Sequence, residues 1–253
     1  MEALLFAFLV LAVVVGLAVA YALYWRKYKG PALWAEFLTR TGYRRAADPQ
    51  APVEAQARAI LADILPRDGV VRRGPWIRDV RGLPLQYDGS ISSGTAAGEQ
   101  AMFYAETWRM RLPAASSFGL QLVDRSIAQP GTAQLAARQL LRKGRSWSAV
   151  FPTVVASGEP IFDARVLALS DVPAEAAKLL GDWHLRQRLL DMPEIDLVLS
   201  GTELRFDDPS GTLRRTVMGA WTGSPTTMIQ REPEVHERVA ELLRYVAGLL
   251  GRR

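Results

Sequence analysis

Residues 1–25 read MEALLFAFLVLAVVVGLAVAYALYW, and this stretch decides how the chain is organised. Glu2 is the single charged side chain of this stretch, and a basic cluster begins directly after residue 25. A helix rises about 1.5 Å per residue and a bilayer core is about 30 Å thick, so roughly 20 apolar residues are enough to cross it. The stretch therefore predicts a transmembrane anchor over 1–25.

Two other interpretations of the apolar run are open. The small residues Ala18-Val19-Ala20 suggest a cleaved signal peptide. A signal peptide requires basic residues before its apolar core, however, and no Lys or Arg precedes this run. A buried helix of a soluble core rarely runs this long without a polar residue. Length, polarity and flanking charge favour a retained single span.

The residues directly after the span have the composition of a membrane interface. Trp25, Arg26, Lys27, Tyr28 and Lys29 combine aromatic rings with basic groups, which collect at the headgroup level of a bilayer. Since no basic residue precedes the span, the positive-inside rule places the rest of the chain in the cytoplasm. We predict a single-pass membrane protein whose soluble domain is cytoplasmic.

Basic charge is concentrated near the span. Residues 26–81 hold 12 Lys and Arg against 6 Asp and Glu, whereas residues 82–253 hold 19 of each kind. Basic side chains near an anionic leaflet contribute about 1 kcal/mol each to membrane binding. A nucleic-acid interface would need a basic stripe with aromatics in the folded part. The predicted partners are the lipid bilayer and a protein in or at the membrane, and not nucleic acid.

The supply of metal ligands and nucleophiles is small. The chain has no cysteine, which excludes disulfides, a thiolate nucleophile and Cys-ligated metals. It has two histidines, His184 and His236. We predict no metal and no cofactor.

The segment 26–66 is predicted to be helical, with one helix ending at Gly42 and a second over Pro52–Leu65. Residues 67–253 form the predicted globular domain. As an alternative, this domain divides into two halves, 67–149 and 150–253. Helices and strands are mixed there without a regular βα repeat, which favours an α+β fold of mainly antiparallel sheet with packed helices.

Within the domain, hydrophobic spacing and turn residues predict most elements. An exposed loop is expected at Gly89–Gly98, a helix over Thr132–Lys143 and a final helix from Glu232. Strands are predicted over Leu83–Ile91, Gln100–Leu112, Phe118–Val123, Trp147–Ala156, Ile161–Leu169, Ile195–Leu199, Glu203–Phe206 and Leu213–Met218.

The clearest predicted helix runs continuously from Ser170 to Pro193. Its buried stripe contains Trp183, and Asp182 lies on the exposed side with ion-pair partners one turn away in each direction.

The sequence contains no strong catalytic motif. Gly94–Glu99 lacks the Lys-Ser/Thr of a phosphate loop. Asp207–Gly211 is interpreted as a hairpin turn, and His236 as one half of an (i, i+4) pair with Glu232 that stabilises a helix end. A deep pocket lined by Asp124, Glu159, Asp163 or His184 would favour a membrane-tethered enzyme.

Several short stretches of the second half carry a resemblance to known proteins: Phe162-Asp163 with the strand that follows, Leu179-Leu180, Leu185-Arg186, Leu189-Leu190 and the hairpin Asp196–Phe206. On these residues the second half resembles uncharacterised bacterial single-span membrane-anchored proteins with an α+β domain of unknown function. The resemblance implies a similar architecture and assigns no activity or catalytic residue. The sequence thus favours a non-catalytic membrane-anchored scaffold, assembly or partner-binding protein, with the tethered enzyme as the alternative.

Overall fold

The computed structural model describes most of the chain. The described residues are 2–64, 70–96, 99–128, 149–208, 211–218 and 225–252. The helix predicted over Thr132–Lys143 and the start of the strand predicted from Trp147 lie outside them.

A long helix leads from the N-terminal end of the chain into the globular domain without a linker. α1 (Glu2–Tyr24) continues into a π-helical turn (Trp25–Lys29) and then into α2 (Gly30–Thr41). The helix is long and apolar enough to cross a membrane, with a mean hydropathy of 2.8 in its most apolar window. Its side chains over residues 4–24 are exposed in the described protein.

The two helices that follow the π-helical turn have boundaries close to the predicted positions. α2 is terminated by Gly42, whose φ of 69° is left-handed and whose amide donates to the Leu38 carbonyl at 2.8 Å. Glycine adopts this conformation without a Cβ clash, which explains the stop. α3 (Val53–Ile64) follows and packs against α2.

The domain is α+β and is built on one antiparallel sheet, which has nine strands within the described ranges. In spatial order they are β1 (Arg44–Arg45), β2 (Val70–Val80), β3 (Leu83–Ala96), β4 (Glu99–Arg111), β9 (Glu203–Asp208), β8 (Asp196–Ser200), β5 (Leu120–Asp124), β7 (Val166–Ser170) and β6 (Thr153–Val155). Each pair of neighbours is antiparallel, which confirms the predicted fold class.

The remaining described helices pack around this sheet. They are α4 (Arg125–Ala128), α5 (Pro160–Arg165), α6 (Pro173–Leu180), α7 (Trp183–Leu190), α8 (Thr212–Met218) and α9 (Pro225–Leu250). α3 lies against β2, and α9 lies against β4 and β9. Successive strand residues point to opposite faces, so Tyr87 and Trp108 are buried in the core while Asp88 and Arg109 on the other face are half-buried.

One predicted strand, Ile161–Leu169, is wrong in its first half, which is the helix α5. Pro160 occupies the first turn, where its missing amide costs nothing. The Glu159 carboxylate caps the helix by accepting the amides of Ile161 and Phe162 at 3.3 and 2.9 Å. The capping carboxylate therefore decides the local structure.

The strand predicted over Leu213–Met218 is also wrong, because this segment belongs to α8. The Asp208 carboxylate accepts the amides of Thr212 and Leu213 at 2.8 and 2.9 Å and so satisfies the first turn of the helix. The predicted hairpin turn after Asp207 is instead the connection from β9 to α8.

Two further boundaries differ from the prediction. β3 extends to Ala96, through most of the expected loop. The last helix starts at Pro225, so Glu232 and Pro233 lie inside it.

The predicted continuous helix from Ser170 to Pro193 is in fact two helices, α6 and α7. The chain leaves the helix at Gly181, and Asp182 has an extended backbone with its carboxylate accepting the Leu185 amide at 2.7 Å. Asp182 is therefore an N-cap and not an exposed ion-pair residue. Trp183 starts the new helix and is 57% exposed, so the prediction that it is buried is wrong.

This geometry predicts that Asp182 matters more for stability than its aromatic neighbour. Asp182→Ala removes the cap and the acceptor for the Tyr245 hydroxyl at 3.0 Å, and should lower the free energy of unfolding by about 1–2 kcal/mol. Trp183→Ala should cost less than about 1 kcal/mol, since most of the ring is already in solvent. Chemical denaturation of both variants in detergent micelles measures the difference. A larger loss for Trp183→Ala would contradict the structure.

Candidate functional site

A cluster of polar side chains lies buried between the sheet and the C-terminal helices. None of its members is more than 3% exposed. The buried polar cluster consists of Tyr87 on β3, Glu106 and Trp108 on β4, Arg214 on α8, and Glu232 and His236 on α9.

Arg214 is the centre of this cluster. Its Nε donates to Glu106 Oε2 at 2.9 Å, and its Nη1 and Nη2 donate to the two oxygens of Glu232 at 2.5 and 2.8 Å. Nη2 also contacts Glu106 Oε1, so both carboxylates are held in the bidentate manner. Burial alone lowers the pKa of Arg214, but the two glutamates raise it well above the usual value. The guanidinium is therefore charged and joins β4, α8 and α9.

His236 is held as a neutral imidazole by its neighbours. Trp108 Nε1 lies 3.1 Å from His236 Nδ1 and the Tyr43 hydroxyl lies 3.2 Å from the same atom. An indole nitrogen can only donate, so Nδ1 must be an acceptor, and the proton sits on Nε2, 3.2 Å from Glu232 Oε1. Burial lowers the pKa of His236, in agreement with a neutral ring. The predicted pair with Glu232 is confirmed, but its assignment to a helix end is wrong.

Asp208 borders the cluster and carries reduced charge. Burial raises its pKa to about 7, and the negative charges of Glu106 and Glu194 act in the same direction. The Thr212 and Leu213 amides oppose the shift. Partial protonation near neutral pH limits the excess of negative charge around Arg214.

A polar pocket of about 480 Å³ opens elsewhere on the domain. It lies at the loop between α7 and β8, next to the end of β5. Its polar wall contains Asp124, Ser126, Arg165, Asp191, Glu194 and Thr212.

The polar groups of this pocket largely bind one another. Arg165 Nε donates to Asp124 Oδ1 at 3.0 Å, and its terminal nitrogens donate to the Leu190 and Met192 carbonyls. Asp124 Oδ2 accepts the Ile195 amide at 2.8 Å. These bonds hold the loop 190–195 in place, so Arg165 and Asp124 have a positioning role in the wall.

The four residues named for an enzyme site do not come together. Asp124 lines the polar pocket, but Glu159 caps α5. The Asp163 carboxylate accepts the amides of Ser157 and Gly158 at 2.9 and 3.2 Å, and His184 is exposed on α7. Over the described part of the chain, no group of three or more His, Cys, Asp and Glu side chains is arranged to hold a metal ion.

The sequence interpretation missed Glu106 and Arg214. Glu106 lies on the same face of β4 as the buried Trp108 and Met110. A charged residue in a series of buried positions indicates a buried partner of opposite charge. Arg214 gives no comparable signal, because its segment was expected to be a strand.

The predicted membrane-interface residues all lie in the π-helical turn. Trp25 is 8% exposed and packs with the core of the domain. Arg26, Lys27, Tyr28 and Lys29 are exposed, and the Lys27 ammonium lies 5.2 Å from the centre of the Tyr28 ring.

Comparisons with known proteins give little similarity. No family model matches the chain, and no curated protein matches its sequence. One solved structure that aligns with it is the crystal structure of the mycobacterial trehalose monomycolate transport factor A, TtfA. The alignment covers 86% of this chain and 96% of that chain, with 10% sequence identity and a TM-score of 0.38. Similarity at this level does not establish a common fold or function.

The geometry of His236 predicts a pH-dependent contribution to stability. In the unfolded chain the imidazole takes up a proton around pH 6.5, whereas in the folded domain its pKa is lower. The contribution of His236 to the free energy of unfolding should therefore be complete above pH 6.5 and should fall by up to about 1.4 kcal/mol per pH unit below it, while the raised pKa of Asp208 acts in the opposite direction.

Denaturant unfolding between pH 5 and 8, done for His236→Gln and His184→Gln, measures this contribution. The first variant should lose the part of the slope in which stability rises with pH, and the second should keep the wild-type slope because His184 is exposed. Equal slopes for the wild type and His236→Gln would disprove the assignment.

Proposed function

We propose that this protein is a non-catalytic, single-pass membrane protein that serves as a scaffold, assembly factor or partner-binding subunit. The observation that carries the proposal is the continuous helix from Glu2 to Thr41, which joins an apolar span directly to the core of an α+β domain. We divide the chain into an anchor (1–25), a juxtamembrane helical segment (26–66) and a globular domain (67–253).

The exposure of α1 supports anchoring in lipid. Leu5, Phe6 and Phe8 are more than two-thirds exposed in the described protein. The exposed fractions of the other large apolar side chains described in α1 lie between 45% and 78%. Each square ångström of apolar surface in water costs about 25 cal/mol, and a bilayer removes this cost. Arg26, Lys27, Tyr28 and Lys29 are exposed and then form the membrane interface with lipid as a direct partner, and Trp25 lies at the same level with its ring against the domain.

The state of the polar groups supports a non-catalytic role. A general acid or base must lie within hydrogen-bonding reach of its substrate. The members of the buried polar cluster are closed off from solvent, and Asp124 and Arg165 of the polar pocket are engaged with the protein itself. The alternative, a membrane-tethered enzyme, is favoured by the size of the polar pocket, which lies in the range of small-molecule sites.

The basic cluster after the span predicts a cytoplasmic domain. A C-terminal fusion to a reporter that is active only after export should be inactive, while a cytoplasmic reporter at the same position should be active. Charge reversal of Arg26, Lys27 and Lys29 to Glu is the matched variant, and it should increase the exported fraction. Strong export activity from the unmodified chain would place the domain on the opposite side.

Partner binding predicts a stable complex in native membranes. The full-length chain, cross-linked in the membrane and purified in mild detergent, should co-purify with a protein in a fixed molar ratio. A control chain whose residues 3–24 are replaced by an unrelated apolar span separates partners of the domain from partners of the helix. If the cross-linked protein consistently elutes alone, the proposal is wrong and the enzyme alternative is preferred.

A further inference from the structure

α3 returns to the level at which the apolar span ends. Gln56, near the beginning of α3, accepts the amide of Arg45, which lies just beyond the end of α2, at 3.0 Å. Leu61, near the end of α3, contacts Gly30 at the beginning of α2, where a Cβ on the glycine would be 2.9 Å from a Leu61 methyl group. The two helices therefore run in opposite directions, and the C-terminal end of α3 lies beside the first residue of α2.

The distance from this contact to the bilayer follows from helix geometry. Gly30 comes six residues after Tyr24, the last residue of α1, which corresponds to about 9 Å along the helix axis. The headgroup layer on each side of the hydrocarbon core is about 5–8 Å thick. Gly30 and Leu61 are thus at or just beyond the outer boundary of the headgroup layer, and a tilt of the span towards α3 brings Leu61 deeper.

The burial of Trp25 shows that the domain reaches this layer. Trp25 is the last residue of the apolar run, yet it is 8% exposed and belongs to the same core cluster as Leu61. A domain held on a flexible linker would leave this ring uncovered. The exposed side chains of Arg26, Lys27 and Lys29 surround the same level and carry the charge that lipid phosphates attract.

We propose that the C-terminal end of α3, at the exposed Ala62 next to the buried Leu61, is a second membrane-contacting element that seats the domain in the lipid headgroup layer. The partner is the phosphate-bearing surface of the leaflet, and Arg58, exposed one turn before Ala62, adds a further cation to the contact. This inference rests on the proposed anchoring by α1.

The absence of cysteine allows a direct test in the full-length chain. Ala62→Cys and Ala55→Cys both replace exposed alanines of α3, and the second lies about 10 Å further from the membrane end of the helix. Each variant is labelled with a nitrobenzoxadiazole fluorophore and reconstituted into phosphatidylcholine–phosphatidylglycerol vesicles. One set of vesicles carries a nitroxide on the lipid headgroup, and the matched set does not.

The nitroxide should quench the label at position 62 by about twofold or more relative to the label at position 55, because quenching requires close approach to the headgroups. Equal quenching at the two positions, or none at position 62, in a chain that floats with the vesicles would overturn the second contact and leave the anchoring intact. A chain that does not float with the vesicles would overturn both.

Discussion

The buried guanidinium of Arg214 is the interaction on which the C-terminal part of the domain depends. It pairs with Glu106 on β4 and Glu232 on α9 at once, and each of the three residues is almost completely buried. Charges removed from water are costly unless they are paired and hydrogen-bonded, and loss of one partner leaves the others uncompensated. α8 and α9 can therefore dock on the sheet in the one arrangement that satisfies all three charges.

The same network extends to the helix that carries the span. The Tyr43 hydroxyl, just past the end of α2, lies 3.2 Å from His236 Nδ1. Arg78 of β2 donates to the Thr41 carbonyl at 3.3 Å and to Glu237 of α9 at 2.5 Å. The sheet, α9 and the end of α2 are thereby held together, so the long apolar helix is continuous with the folded domain.

Local signals in the sequence were sufficient to predict a structural feature where the residues that determine it are close together in the chain. The length of the apolar run, the left-handed Gly42 and the alternation along β4 are of this kind. The signals failed where a capping side chain decides, since Asp182 fits both an exposed helix position and an N-cap. They also failed for the buried polar cluster, because Arg214 meets Glu106 across 108 positions of sequence and no local pattern contains that contact.

The helical joint from α1 to α2 has a mechanical consequence. In a bilayer, an apolar helix longer than the hydrocarbon core tilts, and the tilt angle grows as the core becomes thinner. Because Trp25 to Lys29 continue the helix instead of forming a flexible hinge, the domain must incline with the span. If α1 spans a bilayer as we propose, the thickness of that bilayer sets the orientation of the sheet, and any protein bound to the domain is presented at an angle set by the surrounding lipid.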